Sequence, residues 1–297
     1  MTTAMSVASV SVADAPRHMP ADPYPHGLAS LSGATLEATL QRRLGGAFSV
    51  GALSAAGSAF IKPATISYEL DGRARRWDVI EAHESVGIVL YHEDLDAFVL
   101  VRQFRPAVYA TLLLAGGAGA AAASSSPSPP PPMHAGFTFE LCAGLCDKAG
   151  KPAAEIAAEE ILEECGFVVD AKDVRPLTSS VSSAGTAGAL HHLFFARVSD
   201  AARAPGGGGG LADTGEAIEV LALPFDRVDG LVMDGGAGRL MMSPGLQFGL
   251  VWAARELGAG RLGGRRRRRQ EGGGGGGGGE DDGLLTAELN LKPVLPA

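Results

Sequence analysis

Hydrophobic positions along the chain cluster in six short segments that predict β-strands. These segments are rich in β-branched and aromatic residues and are bounded by turn-forming residues. They span residues 65–70, 86–91, 97–104, 137–142, 190–198 and 218–224. Two other segments, residues 152–165 and 246–257, predict helices. Many strands and few helices in mixed order favour an α+β domain over residues 62–258.

Three stretches of the chain lack this patterning. Residues 1–61 are rich in Ala, Ser and Gly, which predicts a disordered N-terminal extension; an organelle transit peptide is the alternative, because several arginines lie among small residues. Residues 114–136 form a proline-rich, low-complexity insertion. Residues 259–297 hold a cationic run, a glycine spacer and an acidic run, which predict a linker and a C-terminal tail.

Composition and charge exclude some classes of function. The net charge of −8 gives no general electrostatic reason to expect nucleic-acid binding. No run of eighteen apolar residues occurs, so no membrane span is expected. The three cysteines Cys142, Cys146 and Cys165 are an odd number in a long chain, which argues against a secreted disulfide framework and favours a reducing, cytoplasmic setting. Cys142 and Cys146 are therefore expected to be free thiols.

The helix predicted over residues 152–165 has marked ends and one apolar face. Pro152 suits the first turn, where its missing N–H would have no partner, and Gly166 suits a left-handed residue after the last turn. At about 100° per residue one apolar stripe should face the core, while Glu160, Glu163 and Glu164 should point away from it. The stripe consists of Ala154, Ala158, Ile161 and Cys165.

Four glutamates crowd the end of this helix. Glu159 with Glu163, and Glu160 with Glu164, are like charges spaced i,i+4, and each such pair costs about 0.2–0.5 kcal/mol. Carboxylates in the last turn also oppose the helix dipole, by about 0.3–1 kcal/mol apiece. A solvated acidic face is one explanation. A bound cation is the other, and we favour it because local rules fail where function is expected. Oxygen-only ligands suit Mg²⁺, with Mn²⁺ as an alternative.

The segment before and through this helix resembles the box of the Nudix hydrolases. The stretch ELCAGLCDKAGK carries a strand into a glycine loop, and the box is usually written G-x5-E-x7-R-E-U-x-E-E-x-G-U, with U aliphatic or aromatic. The matching residues are Gly144, Glu160, Ile161, Glu163, Glu164, Gly166 and Phe167. The chain departs from the box in two ways. Its loop is one residue longer, which leaves Lys151 near the first glutamate position, and Glu159 replaces the arginine that is thought to orient the glutamates.

Other stretches resemble the Nudix branch that handles ADP-ribose and UDP-sugars. QFRPAVYA, the insertion after it, ELCAGL and EECG carry this resemblance, which covers about residues 62–258. It implies a mixed sheet sandwiched between helices (α/β/α) and a homodimer paired through N-terminal strands. It also implies Mg²⁺-dependent hydrolysis of a UDP-sugar such as UDP-glucose to UMP and sugar 1-phosphate. The alternatives are the same reaction on ADP-ribose or another nucleoside diphosphate sugar, and a nucleotide-binding module without turnover.

The resemblance also implies roles for individual acidic residues. Glu160 and Glu164 would be the main metal ligands, with Glu163 as a further ligand or a positioner of water. The backbone carbonyl of Ala143 would complete the metal site. Glu163 or Glu216 would take the proton of the attacking water as the catalytic base.

Three more residues are substrate-binding candidates. Arg105 would bind the diphosphate, since a guanidinium forks onto phosphate oxygens through two hydrogen bonds, and Arg102 is a second candidate. Trp77 would stack on the base, including across a dimer interface, although a core tryptophan is the other interpretation. Glu219 lies inside a predicted strand, so we expect it to face solvent rather than the site.

Overall fold

The computed structural model describes residues 8–11, 24–43, 47–51, 53, 57–58, 61–115, 131–211, 215–236 and 240–263. The strands are β1 Ala8–Ser11, β2 Ala29–Ser30, β3 Ala47–Val50, β4 Lys62–Leu70, β5 Arg73–Glu81, β6 Ser85–His92, β7 Ala97–Phe104, β8 Phe137–Glu140, β9 Cys142–Leu145, β10 Arg175–Ser183, β11 Ala187–Val198 and β12 Ile218–Pro224. The α-helices are α1 Leu36–Arg43, α2 Pro106–Leu113, α3 Ala153–Glu160, α4 Val228–Gly236 and α5 Pro244–Gly258.

A mixed sheet forms the centre of the fold. Its strand order is β10-β11-β6-β7-β12-β2. The pair β11 and β6 is parallel, and the other neighbouring pairs are antiparallel. All six segments predicted as strands lie in this sheet or in the β4–β5 ribbon, although the segment at 137–142 divides at Leu141 into β8 and β9.

The two central strands β6 and β7 pair at one end and then separate. Their pairing covers only the last three residues of β6. Beyond that point β9 pairs with the first half of β6, and β8 pairs with the second half of β7. The successive strands β8 and β9 therefore fill a fork in the sheet, and their junction lies where the central strands diverge.

Helices cover both faces of the sheet. Because successive side chains of a strand point to opposite faces, Val89 and Tyr91 pack in a cluster with α4 and α5. Ile88 and Leu90 pack in a second cluster with α3. The predicted α/β/α sandwich is confirmed, and the helix predicted at 246–257 corresponds to α5.

Part of the N-terminal segment belongs to the folded domain. We expected residues 1–61 to be a disordered extension, and this prediction is wrong for residues 24–43. In that stretch β2 pairs with β12, and α1 follows. Leu28 and Leu36 are buried. Leu28, Leu31 and Leu36 stand at spacings of three and five residues among small and polar residues, which match neither a continuous helical period nor a strand period.

The hairpin of β4 and β5 stands apart from the central sheet. The two strands pair along nine residues each, and nearly every side chain on both is exposed. Its large apolar side chains are open to solvent at Ile66, Tyr68, Leu70, Trp77 and Ile80. The backbone N–H of Ile80 donates to the carbonyl of Thr186 at 2.7 Å, which joins the hairpin to the β10–β11 turn.

The remaining predictions concern the thiols, the membrane and the low-complexity stretches. Cys142 and Cys146 are free, as predicted, and Cys165 is free as well. Among the described residues, no helix combines the length and apolar character that crossing a bilayer requires. Most of the predicted insertion, residues 116–130, and the tail from residue 264 onward lie outside the described residues.

Candidate metal and diphosphate site

A pocket of about 720 Å³ opens at the fork of the sheet. This volume lies in the range of about 300–1,000 Å³ that small-molecule sites occupy. The β8–β9 junction, the end of α3, the segment before β12 and the start of α5 contribute to its walls. Its charged lining residues are Glu140, Asp147, Glu160, Glu163, Glu164, Glu216, Arg105 and Lys148. Six carboxylates face two cations, so the pocket favours added positive charge.

The end of the glutamate helix is wider than a regular α-helix. After α3 the chain continues in a π turn over Ile161–Cys165 and ends at Gly166, whose φ of 76° confirms the predicted left-handed residue. Such single-turn π segments are frequent at functional sites. Glu164 is buried, so the prediction that it points away from the core is wrong. The wide turn offsets the last residues from the regular helical period and directs Glu164 toward β9.

Glu164 and Glu160 share one electrostatic environment. Oε2 of Glu164 accepts the backbone N–H of Ala143 at 2.9 Å, and burial raises the pKa of Glu164 to about 8. Burial, followed by the charges of Glu163 and Glu216, raises the pKa of Glu160 to about 7. Among the described residues, no three of these carboxylates have oxygen atoms within 4.8 Å of one another. Oxygen donors with raised pKa values and an excess of negative charge fit a hard divalent cation.

Gly144 allows Glu160 to approach the β9 backbone. A Cβ atom at Gly144 would overlap the carboxylate of Glu160. Only glycine therefore permits this arrangement, because every other residue would displace the carboxylate. The glycine predicted from the box has a physical role in placing a predicted metal ligand.

The two departures from the box are ion-paired with each other. Nζ of Lys151 contacts Oε1 of Glu159, and Nζ of Lys148 lies 2.7 Å from Oε2 of the same carboxylate. In the box, these two positions carry a glutamate and an arginine. In this chain they carry Lys151 and Glu159, so the two charges are exchanged. The lysines tie the loop after β9 to the outer side of α3 and place Lys148 at the pocket wall.

Arg105 is held in the pocket by Glu140, a carboxylate that no sequence motif marks. Its Nε and Nη2 donate to the two carboxylate oxygens of Glu140 at 2.7 and 2.5 Å. The Thr138 hydroxyl and the Gln103 amide also donate to Glu140, at 2.6 and 3.2 Å. Burial alone would raise the pKa of Glu140, but the hydrogen bonds and charge of Arg105 hold it below its ordinary value. Glu140 is therefore ionised and fixes the guanidinium plane.

Arg102 and Glu219 lie outside the pocket. Both are buried, and Nε of Arg102 donates to Oε2 of Glu219 at 2.9 Å. The expectation that Arg102 binds substrate is not supported, because strand alternation directs it to the opposite side from Gln103, which lines the pocket. The expectation that Glu219 faces solvent is wrong, because this carboxylate is the buried partner of Arg102.

Trp77 and Glu216 have different positions relative to the pocket. Trp77 is 51% exposed on β5, donates its Nε1–H to the Gly185 carbonyl at 2.9 Å, and does not line the pocket of its own chain. It is not a core tryptophan. Glu216 lines the pocket, and its Oε2 accepts the backbone N–H of Leu211 at 2.8 Å.

His191 is a further pocket residue that the sequence did not identify. Its Nδ1 lies 2.8 Å from Oγ of Ser85, and both residues line the pocket. Gly87 leaves room for this ring, because a Cβ atom there would lie 2.7 Å from Nε2. The parallel pairing of β11 with β6 brings His191 to the fork, opposite Ser85. Because this contact depends on long-range pairing, no local motif or spacing marks His191.

Comparison with known proteins finds similar nucleotide-sugar hydrolases. No family model matches the chain. The uridine diphosphate glucose pyrophosphatase of Bos taurus is 38% identical over 202 residues, which cover 66% of this chain and 89% of the relative. The enzyme of the same name from Mus musculus is 38% identical over 174 residues, 57% of this chain and 78% of the relative. A GDP-mannose pyrophosphatase from Klebsiella pneumoniae is 35% identical over 175 residues, 57% of this chain and 75% of the relative.

Proposed function

The chain belongs to the Nudix hydrolases, and on that premise we propose that it hydrolyses the diphosphate bond of a UDP-sugar, such as UDP-glucose, to UMP and sugar 1-phosphate. The observation that carries the proposal is the pocket at the fork. There the glutamates at the end of α3 and the Arg105–Glu140 pair face one space of about 720 Å³. A nucleotide sugar needs both a site for cations and a site for its diphosphate.

Glu160 and Glu164 would hold Mg²⁺, or Mn²⁺, with Glu163 and the carbonyl of Ala143 as further ligands. Support comes from the raised pKa values of Glu160 and Glu164, which burial and the neighbouring carboxylates cause, because a bound cation would favour the ionised form of both groups. When bound, the cation neutralises charge on the diphosphate and lowers the pKa of a bound water molecule. The protein contributes oxygen ligands that are fixed in place by Gly144 and by the backbone of β9.

Arg105 would bind the diphosphate. Glu140 holds its guanidinium in one plane, so the ordering of this side chain is completed before substrate arrives. Lys148 adds a second cation at the wall. Glu216 or Glu163 would accept the proton of the attacking water, because both line the pocket beside the proposed ligands. Positioning and electrostatics account for catalysis in this scheme, without a covalent intermediate.

The β4–β5 ribbon would form the surface of a homodimer. It is exposed along both strands and carries large apolar side chains, which is unusual for a monomer surface. Trp77 lies on this ribbon, so pairing would offer it to the partner's pocket, where it would stack on the uracil. The free thiols support a reducing compartment such as the cytoplasm.

Hydrolysis by the purified chain tests the proposal directly. We expect UMP from UDP-glucose when Mg²⁺ is present and none when EDTA replaces it. Glu164→Gln should abolish the activity, whereas Glu155→Gln, an exposed glutamate in the first turn of α3, should retain it. ADP-ribose and GDP-mannose belong in the same panel. Faster hydrolysis of ADP-ribose would replace the substrate assignment, and binding without hydrolysis of any nucleotide sugar would identify a non-catalytic module.

A further inference from the structure

A second group of ligand-type side chains lies at the opposite end of β6 from the pocket. It consists of His92, Asp94 and Asp200, whose ligand atoms all lie within 4.8 Å of one another. Ser85 lines the pocket and His92 ends the same strand. Seven residues of strand at about 3.3 Å each separate them by about 23 Å. The group is therefore distinct from the pocket carboxylates.

His92 is buried with no hydrogen-bond partner for its ring. Its side chain is fully inaccessible, and both Nδ1 and Nε2 lack a partner. Nε2 lies 3.5 Å from Oδ1 of Asp200, which exceeds the usual range of about 2.7–3.2 Å for a hydrogen bond. A buried polar atom without a partner costs about 1–3 kcal/mol. Burial also lowers the pKa of His92, so the neutral imidazole, which can donate a lone pair, is the favoured form.

The two aspartates add negative charge beside this ring at the protein surface. Both are exposed, and the backbone N–H of Asp200 donates to Oδ2 of Asp94 at 2.8 Å, which already joins their two turns. The guanidinium of Arg203 lies over the ring of Phe167, which in turn contacts His92. The positive charge of Arg203 opposes the binding of a cation at His92, but the negative charges of Asp94 and Asp200 together exceed it.

We propose that His92, Asp94 and Asp200 bind a divalent transition metal, with Zn²⁺ the best match. One imidazole nitrogen with two carboxylates suits Zn²⁺, whereas Mg²⁺ prefers oxygen ligands alone. Bonds of about 2.0–2.2 Å require ligand atoms about 3–4 Å apart. Rotation of the exposed Asp200 side chain would close the remaining gap while Oδ2 of Asp94 keeps its hydrogen bond to the backbone of Asp200. Water completes the coordination on the open side. The metal satisfies Nε2 of His92 and links the β6–β7 turn to the turn after β11.

Zinc titration by calorimetry, with excess Mg²⁺ to occupy oxygen-only sites, tests the proposal. The test variant is Asp94→Asn with Asp200→Asn, which changes only exposed side chains and leaves the buried ring intact. The control is Asp170→Asn with Asp226→Asn, which removes the same charge from exposed aspartates elsewhere. We expect the wild-type and control proteins to bind one more Zn²⁺ per chain than the test variant, or to bind it at least tenfold more tightly.

Nitrogen chemical shifts of the imidazole of His92 provide a second readout that does not depend on activity. Zn²⁺ should shift the Nε2 resonance in the wild-type chain and leave it unchanged in the test variant. Equal zinc stoichiometry and affinity in the test and control variants would overturn the proposal. It would also be overturned if His92 were simply protonated beside Asp200 and unaffected by zinc.

Discussion

Replacing Glu164 by glutamine should stabilise the metal-free protein near neutral pH while weakening its response to Mg²⁺. Glu164 is 6% exposed, and burial raises its pKa to about 8. A carboxylate with this environment must either hold a proton or remain charged without a counter-ion. Glutamine has almost the same shape and carries no charge, and its amide oxygen can still accept the N–H of Ala143.

The sign and size of the effect follow from linkage. Because the folded pKa of Glu164, about 8, exceeds its ordinary value of 4.5, its protonated form contributes stability that is complete below the ordinary value. This stability is lost as the pH rises through about 8. At about 1.4 kcal/mol per pKa unit, the difference between the two pKa values lowers the free energy of unfolding by about 5 kcal/mol when Glu164 is fully ionised. Near pH 7 the loss is about 3 kcal/mol. The ionisation of Glu160 is coupled to that of Glu164, so part of the loss belongs to Glu160 and remains in the variant. We therefore expect the free energy of unfolding to rise by about 1–3 kcal/mol in Glu164→Gln.

Urea denaturation in EDTA, followed by tryptophan fluorescence, measures this difference. Wild type, Glu164→Gln and the exposed control Glu155→Gln should be compared at about pH 5, 7 and 9. The advantage of Glu164→Gln over the other two proteins should grow with pH. Mg²⁺ should raise the unfolding free energy of wild type and control more than that of the variant. A variant that is no more stable than wild type in EDTA at any of these pH values would refute the reasoning.

Three further predictions concern the same pocket. Gly144→Ala should lower kcat/KM about 100-fold with little loss of stability, because the added methyl displaces Glu160; unchanged kinetics would contradict the close-approach role. Arg105→Ala should raise the KM for UDP-glucose about 10–100-fold, as measured by initial rates, since a charged hydrogen-bonding group is lost; an unchanged KM would exclude diphosphate contact. Lys151→Glu should lower activity about two- to fivefold, as measured by initial rates, because it replaces an ion pair with two like charges at Glu159. Unchanged activity would rule out that pairing role.

The sheet could be predicted from the sequence because its strands carry strong local signals. Runs of β-branched and aromatic residues mark the central strands, and both predicted helices are present. Strand β10 was missed because it is short of apolar residues, being serine-rich and largely exposed. The break at Leu141 was also missed, since the pattern of residues 137–142 continues through it. That break depends on where β6 and β7 separate, which is a property of the whole sheet.

The candidate site was predictable where a local motif carries it. The box predicts Gly144, Glu160 and Glu164 as site residues, and all three line the pocket. Glu140 and His191 were missed because long-range pairing, rather than a motif, brings them to the fork. The burial of Glu164 was missed because the π turn offsets the regular helical period. Local charge conflicts thus point to the candidate site, and tertiary contacts determine which other residues line its pocket.

The packing of residues 24–43 sets a limit on proteolytic trimming of the chain. The Tyr24 hydroxyl donates to Oε1 of Glu219 at 2.8 Å, and Glu37 lies 3.3 Å from the guanidinium of Arg102. A protease that cut ahead of Tyr24 would leave these contacts intact. A cut beyond Arg43 that released residues 24–43 would expose the buried Arg102–Glu219 pair and the β2-facing edge of β12 to water. Trimming that preserves this packing must therefore stop before Tyr24.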